Sequence, residues 1–394
     1  MLRVRAALAA ALIVVATMGV GADAAHAGPA PARFVTIAIP PRAADLSHTW
    51  WNYDGPPRAM VMLPAGYDRH RQYPLLLALH GLESSYAWWA QAGLRNVFTG
   101  LDAIVVMPEG GSGWYTDWWN DGRRGGPSWE TYDLDDVLPA IQRLYPIRPE
   151  RQYHAIVGVS MGGLGATYLG GRLPGFFGSV ASISGFTDPG WFSFLTVPAM
   201  GLTSIAPLRG DLARSPVEGP ANGFYMVGHD PTALASNLAH TRVFVATGTG
   251  APSRSAPFNV PGSNAEGQII YPMNRIYDSA LQAADVDVTF RVQPGGHDNL
   301  DFADELRAML AWGLFEPVEA APRSWINYTV ATHGQVWDVG YRFTRPPDRI
   351  VELRRSGDVV SIGPAGSEVT LTTSGGCHFH LHTPARVRLP EGCA

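Results

Sequence analysis

One serine lies in a pattern that suits nucleophilic chemistry. Gly158 and Gly162 flank Ser160 at two residues on either side, after the apolar run HAIV and before a Gly- and Ala-rich segment. A strand, a tight turn and a helix in this order form a nucleophile elbow, where the strained turn leaves no room for side chains two residues away. Because the chain holds 44 glycines, a glycine-rich packing turn is the alternative. The strand–turn–helix context favours Ser160 as a nucleophile.

The absence of lysine limits which base such a serine can use. All 29 basic residues are arginine, which excludes a Walker-type phosphate loop, a Schiff base and a Ser-Lys dyad. The base must therefore be histidine. His297, in PGGHDN, follows the last predicted strand and precedes the last predicted helix. The other downstream histidines lack this setting; they are His229, His240, His333 and the three of HFHLH.

Two backbone amides are candidates for an oxyanion hole. Met161 opens the predicted helix after Ser160, where free amides and the positive end of the helix dipole hold an anion. The second candidate is the amide of Leu82, in the loop that follows the apolar run LLLAL. His80 precedes the serine and ends that strand. We expect it to pack or to form hydrogen bonds in the loop rather than to act as the base.

The acid of a triad is less well defined by the pattern. In this fold the chain order is serine, acid, histidine, yet the segment after the run VFVAT reads GTGAPSR and holds no carboxylate. The next carboxylate is Glu266. A glutamate serves as well as an aspartate, because the acid only has to hold the imidazole tautomer and stabilise the imidazolium. Asp278 falls inside a predicted helix, and Asp230 and Asp298 remain alternatives.

The elements that must position these residues alternate between strands and helices from about residue 33 to 315, which predicts an α/β fold with a mostly parallel sheet. The predicted strands are Ala59–Leu63, Leu75–Leu79, Ala103–Met107, His154–Val157, Val180–Ser184, Arg242–Thr247 and Val286–Arg291. The predicted helices are Tyr132–Tyr145, Gly162–Leu173, Pro272–Ala284 and Asp301–Leu314. Residues 185–239 form a Gly/Pro-rich insertion, either a lid or an ordinary packed excursion.

The ends of the chain differ from this central region. Residues 1–27 carry two arginines, an apolar run and a small-residue ending, Ala25-His26-Ala27, which predicts a secretory signal peptide and export. The run is short of the roughly 20 residues of a membrane anchor. We predict a catalytic α/β domain over 28–318. Residues 323–394, with short alternating apolar runs, predict a small all-β domain of the sandwich type.

Composition narrows the partners further. A net charge of −5 without any basic run argues against nucleic acid. Cys377 and Cys393 are the two cysteines, and in an exported chain such a pair predicts one disulfide. The alternating histidines 378, 380 and 382 share one strand face, which we interpret as polar surface rather than a metal site. Serine hydrolysis requires neither a metal nor a cofactor.

Aromatic residues allow two interpretations of equal weight. Trp114, Trp118, Trp119 and Trp129 lie close together in the sequence and either line an acyl pocket or brace the sheet. In the β domain, aromatic residues such as Trp325 and Trp337 suit core packing. Contact of this domain with a cell wall or glycan is a further hypothesis.

Several segments in this order carry a resemblance to a known family: HGL, MPEGGSGWYTDWW, WETY, GVSMGG, NAEGQIIYPMNRIYD and PGGHDN. They resemble the esterase D-like branch of the α/β hydrolases and are most similar to the secreted mycolyltransferases of actinobacteria, over about residues 33–315. The resemblance implies Ser160 as nucleophile, Glu266 as acid, His297 as base, and the Leu82 and Met161 amides as the oxyanion hole.

The chain departs from those transferases at two places. They usually carry Asp-Gly-Leu-Arg at the oxyanion loop and Ser-Trp after the histidine, where this chain has His80-Gly81-Leu82-Glu83 and Asp298-Asn299. These changes put trehalose recognition in doubt. The sequence thus predicts a secreted serine carboxylic-ester hydrolase acting on a small-molecule, lipid or polymer ester. The alternatives are an acyltransferase that uses a sugar or glycerol hydroxyl, and a catalytically silent wall-binding protein.

Overall fold

The computed structural model describes residues 30–46, 55–124, 126–191, 200, 214–258, 262–364 and 366–393. The segment predicted as a signal peptide lies outside these residues, as do residues 192–199 and 201–213 of the 185–239 insertion. Among the helices within these ranges, none combines the length and the apolar character that crossing a membrane requires.

Eight strands form the main sheet, and six neighbouring strands of it pair in parallel. The strands of this part of the chain are β1 (Arg33–Ala38), β2 (Arg58–Leu63), β3 (Leu75–Leu79), β4 (Ile104–Pro108), β5 (His154–Val159), β6 (Ser179–Ile183), the short hairpin β7 (Arg214–Ser215) and β8 (Gly219–Pro220), β9 (Arg242–Gly248) and β10 (Asp287–Gln293). The main sheet has the order β1-β2-β4-β3-β5-β6-β9-β10, with β1 antiparallel to β2 and β2 antiparallel to β4. The predicted α/β fold is confirmed, and each of the seven predicted strands is present within two residues of its expected ends.

Helices cover both faces of this sheet. They are α1 (Trp88–Gln91), α2 (Trp129–Thr131), α3 (Leu138–Leu144), α4 (Met161–Arg172), α5 (Phe224–Val227), α6 (Ser263–Ala265), α7 (Tyr271–Ala283) and α8 (Asn299–Trp312). π-helical turns at Tyr132–Val137 and Glu266–Ile270 join α2 to α3 and α6 to α7. Because both faces are covered, β3 and β5 are buried at every position, which explains their continuous apolar runs.

Every residue of helix α4 is buried, and its small residues permit this. A Cβ on Gly163 would lie 2.5 Å from the Cα of Gly185, and one on Gly170 would lie 2.4 Å from the Val180 side chain. The helix therefore packs directly onto the sheet, and its glycines are required by close approach rather than by flexibility.

Two four-stranded antiparallel sheets form the C-terminal β domain. One contains β11 (Ser324–Thr329), β14 (Val351–Ser356), β15 (Val359–Ile362) and β18 (Ala385–Arg388); the other contains β12 (His333–Val336), β13 (Val339–Phe343), β16 (Glu368–Thr373) and β17 (His378–His382). Trp325 and Leu353 from one sheet share a core with Tyr341 and Leu371 from the other, so the predicted sandwich is confirmed.

Two strands of this domain are not evident from the apolar runs of the sequence. The run VWDVGYRF holds only the last residue of β12 and the whole of β13, because Trp337 adopts a positive φ of 56° and turns the chain between the two strands. The strand β14 has the sequence VELRRS, which is largely polar rather than an apolar run, because the buried Arg355 pairs with Asp338. Cys377 and Cys393 form the expected disulfide, with their Cα atoms 5.5 Å apart.

The β domain docks against the C-terminal end of α4. The Arg172 guanidinium donates to the Tyr341 hydroxyl (3.0 Å) and to the His333 carbonyl (3.1 Å). The Asn327 amide donates to the Gly171 carbonyl (2.9 Å). These contacts with the β domain lie at the end of α4 opposite to Ser160.

Candidate active site

Ser160 occupies a strained turn between β5 and α4. Its backbone angles are φ 58° and ψ −117°, a region that non-glycine residues rarely adopt. A Cβ on Gly158 would lie 1.8 Å from the Gly162 carbonyl oxygen, and a Cβ on Gly162 would lie 2.4 Å from the Leu79 carbonyl oxygen. Side chains at either position would collide with backbone, so both glycines are needed to close this turn.

The loop between β10 and α8 brings His297 to this turn. The Nε2 atom of His297 lies 2.8 Å from the Ser160 Oγ atom. Asp301, on α8, fixes the loop because its carboxylate accepts a hydrogen bond from the Gly296 amide (2.7 Å). Asp298 caps α8 by accepting from the Leu300 amide (2.9 Å). The His297 side chain remains 22% exposed, so a substrate can reach it.

Glu266 opens the π-helical turn before α7 and is completely buried. Its Oε2 atom lies 2.7 Å from His297 Nδ1. Its Oε1 atom accepts three hydrogen bonds of 2.8 Å, from the Ser184 hydroxyl, the Thr247 hydroxyl and the Gly248 amide. With Nδ1–H donating to Glu266, the Nε2 lone pair of His297 is free to accept the Ser160 proton.

The alternative acids are occupied elsewhere. Asp278 accepts from Gln282 on the surface of α7 (2.8 Å). Asp230 accepts from the Gly190 amide (3.0 Å) and the Thr232 amide (2.9 Å), and Asp298 is the cap described above. Of the four candidate carboxylates, the structure brings Glu266 to His297.

The competing histidines also have other partners. The ring nitrogens of His229 lie near the Tyr225 carbonyl (2.7 Å), those of His240 near Glu319 (2.7 Å), and those of His333 near Asp135 (3.1 Å). The three histidines of β17 are exposed. Within the described ranges, no group of three or more His, Cys, Asp or Glu residues is arranged to hold a metal ion.

The loop that carries Leu82 lies against the nucleophile turn. A Cβ on Gly81 would lie 3.5 Å from the Cβ of Ser160. His80 is fully buried; its Nδ1 lies 2.8 Å from the Gly81 carbonyl oxygen, and its Nε2 accepts from the Gly110 amide (2.9 Å). These contacts require a neutral ring protonated at Nδ1, as expected for a residue that organises the loop.

This anchoring affects the Leu82 amide directly. The Gly81 carbonyl and the Leu82 N–H belong to one trans peptide and point in opposite directions, so the N–H is turned away from His80. Neither the Leu82 nor the Met161 amide has a hydrogen-bond partner in the part of the chain that the structure describes. Both amides remain available to an oxyanion.

The tryptophans divide between the two expected roles. Trp129 is fully buried, and Trp118 is almost so and donates to the Gly113 carbonyl (3.1 Å), so both brace the core. The Trp114 ring lies 5.2 Å from the Phe186 ring, and the Phe186 amide donates to the Ser160 carbonyl (3.1 Å). The Trp119 ring lies 5.6 Å from the Phe224 ring and 5.0 Å from the Tyr225 ring. Of the four tryptophans, Trp114 is therefore the one that connects to the nucleophile turn, through Phe186.

Two residues of this site were not identified from the sequence. Ser184 and Glu305 contact each other beside Glu266, with Oγ to Oε2 at 3.0 Å. Ser184 ends a predicted strand and Glu305 lies inside a predicted helix, so neither carries a local signal of function. Their proximity depends on the packing of α8 against β6.

Comparisons with known proteins bear on this arrangement. Residues 52–313 match the model of a family described as "Putative esterase". An esterase of Mycobacterium tuberculosis (strain ATCC 25618 / H37Rv) is 34% identical over 139 residues, which are 34% of this chain and 29% of that protein. The diacylglycerol acyltransferase/mycolyltransferase Ag85A of Mycobacterium leprae (strain TN) is 30% identical over 196 residues, or 47% of this chain and 54% of that protein.

The chain therefore spans about a third to a half of the length of these two curated relatives. Among solved structures, MPT51 of Mycobacterium tuberculosis aligns with a TM-score of 0.55 at 21% identity, covering 72% of this chain and 99% of that one. At this identity, the alignment supports the fold alone.

Proposed function

Since the chain belongs to the putative esterase family, we propose that it is a serine carboxylic-ester hydrolase that works through an acyl-enzyme on Ser160. Family and relatives together make it an esterase or acyltransferase enzyme. The observation that carries the finer proposal is the unbroken series of contacts from Ser160 Oγ to His297 (2.8 Å) and from His297 to Glu266 (2.7 Å).

Each group has one role in this mechanism. Ser160 attacks the ester carbonyl while His297 takes its proton, and Glu266 stabilises the resulting imidazolium. The amides of Leu82 and Met161 donate to the oxyanion of the tetrahedral intermediate. When the intermediate collapses, His297 gives its proton to the departing alkoxide. Water then repeats the sequence on the acyl-enzyme and releases the acid.

An acyltransferase is the second candidate, because the acyl-enzyme is common to both reactions. The matched Ag85A relative is named as an acyltransferase. The acceptor would then be a sugar or glycerol hydroxyl instead of water, and the choice depends on the pocket and on exclusion of water. A silent wall-binding protein, the third hypothesis, would have no need to keep the nucleophile, base, acid and oxyanion amides together.

Location and domain roles are also part of the proposal. We propose that residues 1–27 direct export and are removed, that residues 28–318 form the catalytic domain, and that residues 323–394 form the β domain, with contact to a cell wall or glycan as its candidate role. Edman sequencing of protein recovered from the medium should begin at Gly28. An intact N-terminus retained inside the cell would contradict export.

The experiment that tests the function uses the mature protein with p-nitrophenyl butyrate and a longer acyl ester, with and without trehalose or glycerol. Ser160→Ala should lower kcat by about five to six orders of magnitude, because the nucleophile and base act as a unit. Ser279→Ala, at an exposed serine on α7, is the matched control and should leave kcat unchanged.

Mass spectrometry of the products separates the two reactions. Free acid as the sole product supports the hydrolase. Acylated trehalose or glycerol supports the transferase instead. Equal turnover by wild type and Ser160→Ala would contradict the assignment of Ser160.

A further inference from the structure

A second buried carboxyl group lies behind the candidate acid. Glu305, on α8, is 0% exposed, and its two carboxyl oxygens lie 3.0 and 3.3 Å from the Ser184 hydroxyl. The same hydroxyl lies 2.8 Å from Glu266 Oε1. Ser184 directly follows β6 and adopts a positive φ of 43°, a conformation that costs energy in a non-glycine residue and places its hydroxyl between the two glutamates.

Counting protons shows that both glutamates cannot be ionised in this arrangement. A serine hydroxyl has one hydrogen to donate, and two carboxylates offer only acceptors. If Ser184 donated to Glu266, the contact with an ionised Glu305 would bring two sets of lone pairs together at 3.0 Å without a proton. One proton must therefore be shared within this group.

The contacts indicate which glutamate carries that proton. Glu266 accepts from Thr247, Gly248 and Ser184 on one oxygen and from His297 on the other, and such a set of donors favours the ionised form. Within the part of the chain that the structure describes, Glu305 has the Ser184 hydroxyl as its one hydrogen-bonding neighbour. Burial and then the charge of Glu266 raise the pKa of Glu305 well above its usual range.

On the basis of the proposed function, we propose that Glu305 is a positioning residue: as a neutral carboxylic acid it donates to Ser184 Oγ, so that Ser184 donates to Glu266 and fixes the acid that orients His297. The hydrogen bonds then run in one direction, from Glu305 through Ser184 and Glu266 to the base. The Ser184 hydroxyl then accepts one hydrogen bond and donates another, and Glu266 keeps its negative charge without a buried cation.

The charged groups around Glu305 determine how this arrangement responds to pH. Glu266 and Asp301 oppose a negative charge on Glu305, whereas Arg291 on β10 favours one but is outweighed. His297 lies on the far side of Glu266. When Glu305 ionises at alkaline pH, it can no longer donate to Ser184, and a second negative charge appears beside the triad. We expect kcat to fall there.

Two substitutions separate the donor from the charge. Glu305→Gln keeps a donor to Ser184 and cannot ionise; its kcat at pH 7 should stay within about threefold of wild type, and it should lack the alkaline fall. Glu305→Met fills similar space without a donor. Its kcat should decrease by about threefold to tenfold with KM unchanged, the effect of one lost hydrogen bond. Equal losses in both variants, or identical alkaline limbs in wild type and Glu305→Gln, would overturn the proposal.

A direct readout does not depend on turnover. The infrared difference spectrum of wild type minus Glu305→Gln at pH 7 should contain the C=O stretch of a protonated carboxyl group. If the difference shows only carboxylate bands, Glu305 is ionised and the proposal fails. This measurement can be made on a Ser160→Ala background, so its outcome is distinct from failure of the hydrolase assignment.

Discussion

Two buried glutamates lie near opposite ends of α4, and they are held in different ways. Near the C-terminal end, Glu130 accepts from the Arg172 guanidinium (2.6 Å) and from the Tyr168 hydroxyl (2.8 Å). Near the N-terminal end, Glu266 accepts from the neutral Ser184 and Thr247 hydroxyls, and its remaining partner is the His297 imidazole. A permanent cation locks the first carboxylate in place. The second stays coupled to a group that can gain and lose a proton.

The partner, rather than burial, decides the ionisation of these groups. Burial alone would raise the pKa of Glu130, but the charge of Arg172 and the contact with His229 lower it to about 2. Glu305 is equally buried and lacks such a partner, and burial and Glu266 raise its pKa. We conclude that the C-terminal end of α4 serves docking of the β domain, whereas the N-terminal end suits proton transfer.

The largest difference expected between the two ends comes from replacing the glutamate at each end by glutamine. Glu266→Gln should lower kcat by about 10⁴, because its amide would donate to His297 Nδ1 and force the wrong tautomer. Glu130→Gln should cost stability and leave kcat of the folded enzyme within a few-fold. Measurement of kcat and of urea unfolding for both variants tests this contrast. Comparable losses of kcat in the two variants would remove the distinction between the two ends.

Arg172 provides the next test, on stability. Arg172→Met leaves Glu130 buried without its cation, so the free energy of unfolding should decrease by about 3–5 kcal/mol. Adding Glu130→Gln should recover part of that loss, since no uncompensated charge remains. Urea unfolding of the wild type, both single variants and the double variant completes the cycle. A double variant whose loss equals the sum of the single losses would show that the pair is not coupled.

The sequence predicted one end of α4 far better than the other. Ser160 and His297 stand in recognisable local contexts, an elbow between glycines and a strand–loop–helix junction, and the structure brings the two side chains together. Buried parallel strands read as apolar runs, so the sheet was predictable too. Glu266 could not be chosen by pattern alone, because it follows an irregular loop and lies in a π-helical turn.

Contacts between segments that are far apart in the sequence could not be predicted, for a physical reason. Arg172 and Tyr341 are 169 residues apart, and Ser184 and Glu305 are 121 apart. Nothing near either residue in the sequence signals such a partner, because polar residues inside regular elements read as surface. The roles assigned to Ser160, Glu266 and His297 stay predictions until the variants are measured.

The smallest effect concerns Asp117, which lies beside the docking end. It accepts from the Thr131 amide (3.0 Å) and hydroxyl (2.6 Å). Burial, and then the charge of Glu130, raise the pKa of Asp117 from its usual 3.8 to about 7. Between these values the folded state keeps a proton that the unfolded state has released. The free energy of unfolding therefore decreases as pH rises through this range, and the contribution of Asp117 is at most roughly 1.4 kcal/mol per pH unit.

Asp117→Asn should remove this pH dependence of stability. The Tm of the variant relative to that of wild type should therefore be higher at pH 8 than at pH 5. Glu130 acts in the opposite sense and in a different window: its lowered pKa of about 2 gives stability that is present above its unfolded pKa and lost as pH falls toward 2. Thermal unfolding at pH 5 and pH 8 measures the difference, with the exposed Asp121→Asn as control. If wild type and Asp117→Asn change in parallel, Asp117 is ionised throughout, and the docking end tolerates a second buried charge without a cation of its own.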